Sequence, residues 1–209
     1  MQLPFHMADF VAALENPKYA TQRNARPDYV EIAKDPVRAD DFLKSLAMIQ
    51  LSTVVCGISA IVDMEVYSNV SSLLDLREIV PPYALGARMC LAKVHRWENE
   101  FAISESVECI FEEGDFEQGK FTSLMIDEGE EVPIYGKKKD FAGLQAADQY
   151  AWEQYHFLSR HRLDANTEAR RSFGALLHRI PKLHTHATQE VLINVCHAKG
   201  INPLTGVRK

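Results

Sequence analysis

Residues 144–158 read LQAADQYAWEQYHFL, and the understanding of the chain turns on what this segment does with Asp148. At ~100° per residue around a helix, Leu144, Ala147, Ala151, Tyr155 and Leu158 fall on one stripe. Steps of three and four residues are those of a helix with one packed face. By the same geometry Asp148 lies roughly 40° from Leu144, inside the stripe and one turn before Trp152. Glu153 falls on the opposite side, which is expected to be wet. A carboxylate on a packed face is costly unless hydrogen bonds, a cationic partner or a metal ion compensate it. The sequence therefore predicts a strong helix that carries Asp148 inward, as a structural partner of a backbone group or an arginine, or as a ligand.

Upstream of this helix, Val107 to Glu112 alternates as a strand, with Val107, Cys109 and Phe111 on one face and Glu108, Ile110 and Glu112 on the other. Glu112 and Glu113 point opposite ways where the strand gives out, and strand ends carry ligands in α/β sheets. Val132 to Tyr135 (VPIY) is a short strand. Between the two strands, residues 112–131 hold eight acidic residues and one lysine, with an exposed helix expected over 119–127. Lys137, Lys138 and Lys139 follow, either as a solvated charge run or as a phosphate contact or an acid near the carboxylates, with Lys138 the catalytic candidate. Further upstream, the β-branched run from Leu51 to Met64 predicts a strand buried on both faces. Helices are expected over 6–14, 38–50, 83–97, 166–180 and 185–199, and a loop with one helical turn over 16–36. Strands separated by helices define an α/β layer structure with a helical C-terminal third.

Composition narrows the function classes. The 209 residues include 23 Lys and Arg against 29 Asp and Glu, a formal charge of −6. That balance argues against sequence-blind duplex binding through a broad basic face, but it leaves room for an acidic metal site. The longest apolar run, Leu51 to Val62, has 12 residues and contains Ser52, Thr53 and Ser59, too short for a membrane span. No Lys or Arg precedes an apolar stretch at the start, so no secretory leader is expected. Cys56, Cys90, Cys109 and Cys196 are scattered without a CxxC pair, which predicts buried, reduced thiols and a cytoplasmic setting. His184, His186 and His197 lack a zinc pattern. There is no phosphate-binding Gly-rich loop and no GxSxG elbow.

The succession VECIFEEGD (107–115), PIYGKKKD (133–140) and LQAADQYAWE (144–153) resembles the C-terminal half of the domain-of-unknown-function 3800 family. The Leu-Gln-x-Ala-Asp helix start of that family is matched by Leu144, Gln145, Ala147 and Asp148. The FHMADF opening, with His6 and Asp9, is similar to a segment found past the family's first hairpin. The resemblance extends over most of residues 5–160. It implies a ribonuclease H-like mixed sheet flanked by helices over 1–160, with residues 161–209 as a helical extension packed on it.

The same resemblance implies a divalent-metal-dependent nuclease. Ribonuclease H-like enzymes clamp a phosphodiester with two metal ions about 4 Å apart, and Mg²⁺ or Mn²⁺ would be held by hard oxygen donors. By matching position, Asp148 is the helix-borne ligand and Glu112 the strand-end ligand. Asp115 and Glu113 are reserves, Lys138 is a phosphate contact, and His6, Asp9 and Gln145 border the substrate. The family's opening strand carries an Asp-Glu-Ser motif, whereas the one Asp-Glu pair here, Asp127-Glu128, precedes Gly129. The chain is thus expected to start downstream of that strand, leaving an incomplete metal site unless Asp9 or Asp63 substitutes. The alternative expectation is a non-catalytic ribonuclease H-like interaction or regulatory module. Nucleic acid is then the expected partner of the enzyme, a protein that of the module, and an exposed sheet edge would invite a homodimer.

Overall fold

The computed structural model describes residues 5–74, 80–105 and 107–198. They form an α/β chain with helices α1 (Met7–Glu15), α2 (Pro27–Ala33) and α3 (Pro36–Thr53), strand β1 (Gly57–Val62), and helices α4 (Met64–Leu74) and α5 (Pro82–Glu100). Strand β2 (Ile110–Glu112), helix α6 (Gln118–Asp127), strand β3 (Ile134–Gly136), helices α7 (Ala142–Leu163) and α8 (Arg171–Arg179), strand β4 (Lys182–Ala187) and helix α9 (Gln189–Ala198) follow. Two compact units result, each assembled from separate stretches of chain: residues 1–57 with 137–181, and residues 58–136 with 182–209.

In the first unit, α1, α2 and α3 enclose an aromatic cluster. Phe10 is fully buried, Tyr29 is 2% exposed, and Phe5 and Phe42 pack against them. Ring centroids lie 5.4 Å apart for Phe10–Tyr29, nearly edge to face, and 5.1 Å apart for Phe10–Phe42, separations at which aromatic quadrupoles attract. Asp35 caps α3 by accepting from the Val37 and Arg38 amides, and Pro36 supplies a helix-compatible φ at the first position.

Helix α7 lies where it was expected, but it is rotated about its axis. Gln149 and Glu153 are 1% and 2% exposed, whereas Tyr155 is 67% and Leu158 38% exposed and Ala147 and Ala151 also face outward. The aromatic flank explains the rotation. Tyr150 and Phe157 pack on the buried Phe173 of α8, at 6.0 and 5.9 Å between centroids, and Trp152 stacks on His156 at 3.9 Å. Each aromatic side chain buries far more area than an alanine of the stripe. The buried Gln149 is met by Gln50 of α3, whose Nε2 donates to Gln149 Oε1 at 2.9 Å.

The second unit holds two small sheets, β1 with β4 and β2 with β3. Strands β2 and β3 run parallel, with Ile110, Phe111 and Glu112 opposite Ile134, Tyr135 and Gly136. A parallel pair needs a crossover, and α6 supplies it. That helix is not the exposed one expected over 119–127. Phe121 is fully buried and Leu124 and Met125 nearly so, in a core shared with α4, α5 and α9. Phe121 meets Phe111 at 5.0 Å and Tyr83 at 6.0 Å between ring centroids.

Other segments also depart from expectation. The β-branched run is split: Leu51 to Thr53 end α3, where the Ser52 and Thr53 hydroxyls donate to the Ile49 carbonyl, and the strand begins at Gly57, half-buried throughout. Extending an existing helix fixes one residue per hydrogen bond, which outweighs modest β-propensity. The helix expected over 185–199 is β4 followed by α9, and Thr188 marks the change by accepting from the Val191 amide. The C-terminal third is therefore mixed, not helical, while the helix expected over 166–180 is confined to α8. Residues 16–36 contain a 3-10 turn as well as α2. Helix α4 was not anticipated. On α5 the buried residues are Ala84, Leu85, Ala87 and Leu91.

The four cysteines are unbridged, with Cys196 buried and the other three half-buried. Burial pushes all four thiols above their ordinary value, which disfavours the reactive thiolate. No helix among the described residues is long and apolar enough to cross a membrane. Because Phe121 joins the β2 face to α5, Phe121→Ala is expected to destabilise the protein by ~3–5 kcal/mol in denaturant unfolding. A loss under 1 kcal/mol would show that the core collapses around the gap.

Candidate functional site

Four of the residues singled out in the sequence converge in the first unit. The segment before α7 turns tightly, with the Asp140 and Phe141 amides both donating to the Lys137 carbonyl at 2.9 and 3.2 Å. The turn directs Lys138 inward, where it is only 7% exposed. Its Nζ lies 3.0 Å from Asp148 Oδ1 and 3.4 Å from His6 Nε2. An ammonium has no lone pair, so the imidazole nitrogen is the acceptor in that longer contact. Gln145 joins the two stretches of chain: its Nε2 donates to the Lys138 carbonyl at 2.9 Å, and its Oε1 accepts from the Phe5 amide at 2.7 Å.

Asp148 has a second partner. Its Oδ2 accepts from the Met7 amide at 3.3 Å. Met7 opens α1, and the N-cap residue His6 makes no side-chain cap. The first amides of a helix lack intrahelical acceptors and carry the positive end of its dipole. Asp148 thus caps α1 from α7, and its charge is balanced by a helix N-terminus and a buried ammonium. The compensation demanded by the sequence comes from lysine and backbone.

Asp9, one turn into α1, is half-buried and raises the guanidinium pKa of Arg26, behind the dominant hydrogen bond from Arg26 to Asp28. That guanidinium holds Asp28 at 3.0 and 2.6 Å and covers the Tyr29 ring at 4.1 Å. The Tyr29 hydroxyl accepts from the His6 amide at 2.9 Å, so the aromatic cluster positions the residue beside Lys138.

Glu112 and Asp115 belong to the second unit. Glu112 ends β2 with an exposed side chain, and its carbonyl accepts from Gln118 Nε2 at 2.7 Å. Glu113 is held at the strand end, its amide donating to the Gly136 carbonyl at 3.0 Å. Asp115 Oδ1 accepts from the Glu117 amide at 2.8 Å, closing the turn before α6. Glu117, which the sequence reading passed over, is the buried acid of this unit, at 6% exposure. Its Oε2 accepts from the Tyr83 amide at 3.0 Å and so caps α5, whose flanking Pro81 has no side-chain cap. The nine-residue spacing from the FEEGD strand end to the apolar face of α6 held no signal for this contact, because the capped amide lies 34 residues upstream.

The donor set does not fit the pair of hard cations implied by the resemblance. Among the described residues no three His, Cys, Asp or Glu side chains form a group that would hold a metal ion. Both oxygens of Asp148 are engaged by donors. Compared with protein-family models, with curated proteins and with solved structures, the chain matches none.

Two predictions test these assignments. Lys138→Met leaves Asp148 short of its cation and is expected to cost ~3 kcal/mol, the low end for a broken buried pair, because the Asp148 side chain keeps 25% exposure. Adding Asp148→Asn should restore part of this, with a coupling of ~1–3 kcal/mol in a double-mutant cycle. Strict additivity would show that the pair is not coupled. In the second unit, burial raises the Tyr83 phenol to about 12, reinforced by Tyr135, Asp115 and Glu112. Its unfolded counterpart ionises near 10, so the stability contributed by the neutral phenol is complete below pH 10 and is lost as pH rises towards 12. Ultraviolet titration should give this late ionisation, and Asp115→Asn should bring it earlier. A phenol that titrates normally would refute the assignment.

Proposed function

We propose that the chain is a non-catalytic interaction module of ribonuclease H-like lineage, acting in the cytoplasm, with the outward stripe of α7 as its docking face. One observation carries this reading. The apolar side of a 22-residue helix, Ala147, Ala151, Tyr155 and Leu158, faces solvent while two polar side chains occupy the inside. Exposed anchors at helical spacing are the sequence of a helix-docking surface. Lys137 and Lys139 precede the stripe, and Arg160 and Arg162 close it. The partner that complements it is an amphipathic helix with acidic flanks. Self-pairing would bring like charges together in parallel register and set Arg160 and Arg162 beside Lys137 and Lys139 in antiparallel register, which disfavours a homodimer through this face.

The Lys138–Asp148–His6 cluster supports the same reading, because an aspartate already neutralised by lysine and a helix N-terminus fastens α1 to α7. A second reading has its own support. His6, Lys138, Gln145 and Asp148 were drawn together by the family resemblance, and they are neighbours in space. A phosphodiester nuclease would use the same four residues, with Asp148 as the carboxylate that would hold a divalent cation. This rests on analogy to a fold family.

The readings part in solution. A synthetic amphipathic helix with glutamate flanks should bind the wild-type chain, more weakly at high salt. Tyr155→Glu with Leu158→Glu should abolish binding while the melting transition stays within ~0.5 kcal/mol of wild type, as for surface changes. No binding by such peptides removes the interaction reading. Stabilisation by millimolar Mg²⁺ or Mn²⁺ that disappears in Asp148→Asn, together with cleavage of single-stranded DNA or RNA, would establish the nuclease instead.

A further inference from the structure

The first unit contains a second feature, independent of α7. Helices α3 and α8 pack side by side, yet they leave a groove of ≈ 500 Å³ between them. Its walls are Leu43, Ala47, Met48 and Leu51 from α3 and Ala175 from α8. Ala47 is 5% exposed and forms the floor, whereas Met48 is 61% exposed and stands at the lip. This volume lies within the ~300–1,000 Å³ typical of pockets that enclose small organic ligands. Water in such a groove has few hydrogen-bonding partners, so apolar matter displaces it favourably.

Charge is distributed unevenly around this groove. Lys44 is already matched, bridging Asp40 at 2.6 Å and Asp41 at 3.2 Å. Arg170 is committed as well, its Nη2 bonded to Glu15 at 3.1 Å and its guanidinium 4.8 Å above Trp152. Arg171 differs. It lines the groove, its side chain is exposed, and it has no ionic partner among the described residues. It is also the first residue of α8, where the helix dipole adds to its positive charge and no side chain caps the helix. A largely apolar trough lined by one uncommitted guanidinium complements an elongated molecule with one anionic head.

We propose that the α3–α8 groove binds an apolar monocarboxylate, with the alkyl chain along Leu43, Ala47, Met48 and Leu51 and the carboxylate on Arg171. A guanidinium grips a carboxylate with two parallel hydrogen bonds. The other charged residues of the lining, Asp40, Lys44 and Arg170, are paired with one another or with Glu15, so chain length sets affinity and the contact with Arg171 sets orientation.

Calorimetric titration of the full chain with straight-chain alkanoates, each below its micelle concentration, tests this. From hexanoate to decanoate the affinity should rise by roughly threefold to fourfold per methylene, as expected for burial of each group. Arg171→Glu should weaken decanoate by about tenfold or more, the loss expected for a charge-assisted bond, and leave decanol unchanged. Ala175→Trp, which fills the groove from the half-buried wall, should abolish binding of both, with thermal melts verifying that each variant folds. The proposal is overturned if decanoate does not bind, if Arg171→Glu weakens decanoate and decanol equally, or if Ala175→Trp leaves binding intact. Because Tyr155 and Leu158 are untouched, peptide binding by the α7 stripe is expected to persist in both variants, so the two proposals fail separately.

Discussion

Two helices in this chain begin where they cannot cap themselves, and each borrows a carboxylate from elsewhere in its unit. Helix α1 starts after a histidine and is completed by Asp148; α5 starts after a proline and is completed by Glu117. An uncapped helix start leaves amide donors unsatisfied, and a carboxylate buried without donors is equally unfavourable. Bringing the two together settles both debts at once and fixes one helix against another at a defined point. In the first unit the arrangement needs Lys138 as well, because the Asp148 charge exceeds what a helix end can balance. The fold of that unit depends on this triple contact among residues 7, 138 and 148.

The sequence was informative where covalent neighbours determine the structure. The existence of α1, α3, α5 and α7 and of the strands at Ile110 and Ile134 could be read from spacing. Asp148 was marked as a charge in need of compensation, whereas Lys138 entered as a phosphate contact and His6, Asp9 and Gln145 as substrate neighbours, through the family resemblance. The identity of the compensation was not legible, because an amide 141 positions away leaves no trace in local periodicity.

The rotation of α7 was missed for a related reason. A helical wheel weighs each apolar residue alike, whereas packing weighs area. Ala147, Ala151, Tyr155 and Leu158 are left outside, because Phe173 receives two aromatics, Tyr150 and Phe157, from the other side of the helix. The burial of α6 has the same origin, since Phe121 packs between Phe111 and Tyr83, which lie outside its own helix in sequence. The outward apolar face of α7 is thus the consequence of a competition for aromatic neighbours.

The interleaving of the two units bears on how the protein emerges from the ribosome. Residues 1–57 complete their unit only with 137–181, so the entire 58–136 stretch is synthesised before the Met7 amide meets Asp148. The aromatic cluster of Phe5, Phe10, Tyr29 and Phe42 is local enough to collapse early, at little cost in loop closure. It would shelter the nascent N-terminal helices during that wait.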